Sequence, residues 1–99
     1  MSETVSIKQL RENYGALLDR VQRDELYEVR VTRSGRPWVV LRSPKSYESN
    51  QLEIMRKHPS SKARENLADL LGKVHYQKRL VLIMRNRLPV ACICPAGGE

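Results

Sequence analysis

The chain has 99 residues, enough for one compact domain or for two very small units that share a core. Hydrophobic residues make up 40% and charged residues 29%; Phe is absent and Trp38 is the sole Trp, so the core must be aliphatic. Eighteen Lys/Arg against 11 Asp/Glu leave a formal net charge of +7, the electrostatic footprint of a polyanion binder, and no apolar run reaches membrane-spanning length.

The excess charge is uneven. Residues 1–50 carry nine basic and seven acidic side chains, and residues 51–99 carry nine and four. With no signal peptide expected either, the reading is a cytoplasmic protein.

In chain order, Glu3-Thr4-Val5-Ser6 can form an edge strand leading into a helix. Leu10, Tyr14, Leu17, Leu18 and Val21 make one stripe on a 3.6-residue helix. The period then changes to two. Tyr27, Val29 and Val31 face one way and Glu28, Arg30 and Thr32 the other, as in a half-buried antiparallel strand. Arg33-Ser34-Gly35-Arg36 is a turn in which Gly35 is free to take positive φ, and residues 37–42 return as the partner strand.

Ser43-Pro44 reads as an N-cap followed by Pro at the first helical position. A short helix is expected from there to about Arg56, with Tyr47, Leu52 and Met55 available to pack. Pro59 ends it, and His58-Pro59-Ser60 is a poor strand. A second amphipathic helix follows, with Ser61 as its N-cap and Ala63, Leu67, Leu70, Leu71 and Val74 as its apolar stripe. Residues 80–84 and 90–93 form a second hairpin that is apolar on both faces. Such a sheet needs cover on both sides. This hairpin is therefore placed nearer the middle of the assembly, against the other unit or another chain, where it could support further homodimerisation. Its turn lacks Gly, so Asn86 is the candidate left-handed residue. Cys92 and Cys94 sit on one side of the last strand, without ligand-like spacing to His58 or His75, and read as small packed thiols.

The chain repeats itself. RENYGALLDRV at 11–21 and RENLADLLGKV at 64–74 share six of eleven positions at an offset of 53. The offset then slips to 52, and VRVTRSGRPWVVL at 29–41 lies over VLIMRNRLPVACI at 81–93, with Val29/Val81, Arg33/Arg85 and Pro37/Pro89 identical. Two helix-then-hairpin units are expected, one over residues 1–58 with the connecting helix and a diverged, truncated one over 59–99. The fold class is α+β.

VSIKQLRENYGALLDRV followed by VRVTRSGRPWVVLRSPKSYE resembles the N-terminal domain of Phd/YefM (prevent-host-death) antitoxins over about residues 4–56. The matching features are the short strand, the helix with Arg-x-Asn, the Thr-Arg-x-Gly hairpin and the Ser-Pro-x-x-Tyr that opens a third helix. Residues 60–95 look like a second, diverged copy. The resemblance implies a dimeric α+β fold that binds operator DNA and represses its own toxin–antitoxin operon. In this chain it implies that the two copies pack as an intrachain pseudo-dimer. The family's flexible toxin-binding segment has no counterpart here, which favours a DNA-binding regulator over a toxin inhibitor.

The resemblance places DNA contacts at Arg11 in the helix motif and Arg33 at the hairpin turn, matched by Arg64 and Arg85 in the second copy. Lys8 and Lys62 add basic charge to the first turns of the two helices, and Arg36 and Arg87 to the two hairpin turns. Lys and Arg suit this work: phosphate contacts release counterions, and Arg also grips a guanine edge with two hydrogen bonds. The bland alternative for each is a solvated side chain or an ion pair, although Arg11 and Asp19 are eight apart and Arg64 and Asp69 five, off the favoured helical spacings. Asn13 and Asn66 read as structural residues that bond nearby backbone, and Trp38 as a core or interface residue. No catalytic arrangement, phosphate loop, metal set or cofactor motif is present, so double-stranded DNA is the expected partner. The competing reading is a protein-interaction module that binds a toxin or another protein, drawn by the two-faced second hairpin.

Overall fold

The structure, a computed structural model, describes residues 2–97. It is α+β: a six-stranded mixed sheet with five α-helices among the described residues. The chain runs β1 (Ser2–Ser6), α1 (Ile7–Glu12), α2 (Tyr14–Gln22), β2 (Glu28–Arg33) and β3 (Arg36–Arg42). A connector follows, made of a 3-10 turn (Pro44–Ser46) and α3 (Ser49–Ile54). Then come β4 (Arg56–Pro59), α4 (Ser60–Glu65), α5 (Leu67–Gln77), β5 (Val81–Arg85) and β6 (Leu88–Pro95).

Each amphipathic stripe is broken once. The first expected helix divides at Asn13 (φ −114°, ψ 22°), the second at Asn66 (φ −119°, ψ 35°). Asn13 uses its side chain to hold the break: Nδ2 donates to the Gln9 carbonyl at 3.1 Å. Asn competes with the helix by bonding local backbone, which is why it suits an interruption. Both stripes stay on one face across the break, and Leu10, Leu18, Val21, Leu67, Leu71 and Val74 are fully buried.

The sheet order is β1-β2-β3-β6-β5-β4. β1 runs parallel to β2, and β4 runs parallel to β5. The two hairpins carry the same bulge at repeat-equivalent places, between Val31 and Thr32 and between Ile83 and Met84. They join through β3 and β6, whose antiparallel register sets Leu41 against Ile93. Those two residues are themselves repeat equivalents. The ladder is therefore symmetric about that pair, and one row reads Glu3, Val29, Leu41, Ile93, Val81, Arg56 across the sheet. All the long helices lie on one face and share one core with the sheet. α2 crosses onto β6, and α5 onto β3 and β6, so each unit's helix packs on the other unit's strand.

Four expectations need correction. Residues 56–59 form β4, not a loop: the parallel pairing with β5 supplies the ladder that local propensity lacks, and an edge strand tolerates Pro59. The helix begins at Ser60, with Pro59 in the cap position, so Ser61 is not its N-cap. The connector is not one helix from residue 44 to 56: Ser43 caps only the 3-10 turn, and α3 ends at Ile54. Tyr27 precedes β2 and is exposed instead of sharing the buried side with Val29. Glu28 on the opposite side is buried, paired with Arg30 (2.5 Å) and Arg42 (3.3 Å).

The second hairpin finds its second cover within the chain. Tyr47, Leu52 and Met55 of the connector pack on Leu82, Met84 and Cys92, on the face away from the helices. Cys92 and Cys94 are buried thiols not joined in a disulfide, and Cys94 Sγ donates to the Val40 carbonyl at 3.7 Å. Among the described residues no helix is long and apolar enough to cross a membrane.

Candidate nucleic-acid interface

The parallel edge strands decide where the basic residues fall. β1 ends at Ser6 beside Thr32, so α1 starts at the same end of the sheet as the turn between β2 and β3. β4 ends at Pro59 beside Met84, so α4 starts next to the turn between β5 and β6. Because β3 and β6 are antiparallel, the two turns lie at opposite ends of the sheet. The second unit's end gathers Arg64 with Arg85, and at the other end the turn that carries Arg33 lies at the end where α1 begins.

At the second unit's end, Arg64 of α4 and Arg85 at the end of β5 line one recess with Tyr14, Gly15, Ser60 and Glu65. The Tyr14 hydroxyl donates to the Ser60 carbonyl at 3.1 Å, tying α2 to the start of α4. Burial pushes the Tyr14 phenol above its ordinary value, against the pull of the Ser60 bond and of the Arg85 and Arg64 charges. Arg85 is held by Asp19 of α2 (Nη1 to Oδ1, 2.5 Å). Arg64 is exposed and has no ion pair among the described residues.

At the first unit's end the turn arginine has a different partner. The equivalent of Asp19 is Gly72, which offers no carboxylate. Arg33 lies instead over the Trp38 ring, 5.0 Å from its centroid, in a recess shared with Arg36 and Tyr76. Trp38 is partly buried and stacks on His75 of α5 (3.6 Å between centroids, 13° between planes), with Tyr76 edge-on at 5.3 Å. His75 Nδ1 lies 3.0 Å from the Trp38 carbonyl. Tyr76 is exposed. The chain pattern singles out Trp38 but misses His75 and Tyr76, because the α5 stripe points to Val74 and stops.

Lys8 and Arg11 are exposed on α1, three residues apart and therefore on one helix face. The first turn of α1 is closed by its own capping box: Gln9 N donates to Ser6 Oγ (3.1 Å), and Ser6 N to Gln9 Oε1 (2.9 Å). Arg87 is exposed in the second turn, at φ 65°. Lys62 stands apart from Arg64 and Arg85: it lines a different cleft, between β4 and α5. Seven of the eight expected contacts thus belong to the helices and turns at the two ends of the sheet, and Lys62 lines a third surface.

No family model, curated protein or solved structure matches the chain.

Proposed function

We propose that the chain is a sequence-specific DNA-binding regulator of antitoxin type, its two units packed as an intrachain pseudo-dimer of the Phd/YefM kind. The observation that carries this reading is the ladder symmetric about Leu41 and Ile93. It puts the start of α1, the helix that carries Arg11, at the Arg33 end of one sheet, and Arg64 with Arg85 at the opposite end. A two-fold arrangement of arginines suits the two half-sites of a duplex. The net charge of +7 supplies the salt-sensitive phosphate attraction.

The competing reading, a module that binds and inhibits a toxin, draws on the two-faced second hairpin. The connector already covers that hairpin's second face, so DNA is the better-supported partner.

A gel-shift titration on duplex DNA at two salt concentrations tests the proposal. Arg11→Ala with Arg64→Ala removes one cation from each end, and the affinity at low salt is expected to fall at least tenfold, about 1.4 kcal/mol or more. The slope of affinity against salt should flatten by about two counterions. An unchanged, salt-sensitive shift in a folded double variant overturns the reading.

A further inference from the structure

The two copies can be compared with each other, and they part company at one place. In the first copy Glu3 of β1 and Arg20 of α2 form an ion pair (2.8 Å) that bridges the edge strand to the helix. The sheet register makes Arg56 the equivalent of Glu3, since Glu3 pairs with Val29 and Arg56 with Val81. The helix alignment makes Lys73 the equivalent of Arg20. An attractive pair has become two cations.

The packing beneath has changed with the charge. Val5 and Leu10, both buried in the first copy, are replaced by His58, half-buried, and Ala63. The missing volume is a cleft of about 340 Å³ between β4 and α5. Leu70 is the apolar residue at its floor, with Val74 and Val81 buried beneath; Arg56, Lys62, Lys73 and Arg79 stand around it. Asp69 is its one carboxylate and bonds Lys73 (3.2 Å) at the exposed rim. Four cations and one carboxylate leave the cleft at +3, with no counter-charge for Arg56, Lys62 or Arg79 among the described residues. Burial, with Arg56 and Lys73 nearby, holds the His58 imidazole below its ordinary value.

We propose that this cleft binds a small organic phosphate monoester, the phosphate between Arg56 and Lys73 and the apolar body against Leu70. Several facts favour a small molecule over a DNA backbone. The cleft is concave and of a size typical of ligand sites, and its floor is apolar. A phosphate monoester carries close to two negative charges, which the cleft's excess of +3 more than offsets. The site shares only Lys62 with the expected DNA contacts; Arg11, Arg33, Arg64 and Arg85 take no part in it.

The test is a two-dimensional amide NMR titration of the whole chain with phenyl phosphate, and separately with inorganic phosphate. Saturable shifts are expected at Arg56, His58, Lys73 and Asn66, which also lines the cleft, with phenyl phosphate binding several-fold more tightly than inorganic phosphate because only it covers apolar surface. Arg56→Glu restores the first copy's charge pair with Lys73. It should weaken phenyl phosphate at least tenfold while the chain stays folded by thermal melt. Lys73→Gln, milder in charge, should weaken it in the same direction. Arg11→Ala should leave the titration unchanged. Shifts spread over all surface lysines, equal binding by Arg56→Glu and Lys73→Gln, or no saturable shift would each overturn the proposal. So would duplex DNA that shifts the cleft residues and loses that effect in Arg56→Glu, since the cleft would then be a backbone contact.

Discussion

Arg87 occupies the place that Gly35 holds in the first hairpin. Both sit in the left-handed region, Gly35 at φ 76° and Arg87 at φ 65°, each after a residue that is also left-handed, Ser34 and Asn86. Two successive positive φ values are what a tight two-residue hairpin turn requires, and Gly accepts them without a Cβ penalty. An Arg there is held against its preference, at a cost on the order of 1 kcal/mol. Nothing in the second turn offsets that cost: Arg87 is exposed and has no ion pair among the described residues. A side chain kept in a strained position and open to solvent fits a contact made outside the chain. Arg87→Gly is therefore expected to stabilise the fold by about 0.5–1 kcal/mol in a denaturant melt, less than the full strain because Gly also loosens the unfolded chain. The same variant should weaken duplex binding several-fold. Lower stability, or binding unaltered, would remove Arg87 from the interface.

At the scale of elements, the connector between the units decides how the second hairpin lives. The hairpin's apolar faces are legible in its residues, and so is the need for cover. The source of the cover is not, because Tyr47, Leu52 and Met55 reach it only after the chain has crossed behind the sheet. β4 was hidden for a related reason. Arg56-Lys57-His58-Pro59 has little strand propensity, and only its register against β5 makes it a strand. Equivalent spacing in the two copies held the clue: β1 sits directly before α1, so a strand directly before α4 completes the repeat. The helix stripes, the two turns and the offset of the copies were readable, since each is a local pattern. The Arg85–Asp19 pair and the cleft beside Arg56 were not, since each joins residues from distant elements. The connector's role can be measured at Cys92. Burial, with Cys94 beside it, pushes the Cys92 thiol up to about 12. The folded value lies above the ordinary thiol range near 8.5, so this group favours folding fully below about pH 8.5 and loses that contribution as pH rises toward 12. At pH 8 Cys92 should resist alkylation in the native chain. Leu52→Ala thins its cover and should speed the labelling of Cys92, read by mass spectrometry, at least several-fold. Equal labelling rates would mean that the connector does not shield the hairpin.

For the molecule as a whole, the join between the units decides whether there are two small domains or one. A chain of this length divided in two would leave each half too little core to fold alone. The structure avoids that division in two ways. β3 and β6 zip the hairpins into one sheet, and the crossing of α2 onto β6 and α5 onto β3 places each unit's helix on the other's strand. Ile93 lies at the centre of both devices, fully buried and paired with Leu41. Ile93→Ala should therefore cost about 2–5 kcal/mol, the range for truncating a large buried aliphatic side chain. The distribution of that loss is the sharper readout. If the units fold as one, native-state hydrogen exchange at Val29 and Val31 in β2 should speed up as much as at Val81 and Ile83 in β5, although only β5 belongs to Ile93's own unit. Fluorescence of Trp38 and far-ultraviolet circular dichroism should then give coincident denaturant transitions, before and after the substitution. Faster exchange confined to β5 would show units that open separately. A rigid two-ended DNA reader needs the opposite, because the spacing between its arginine clusters is fixed only while the central ladder holds.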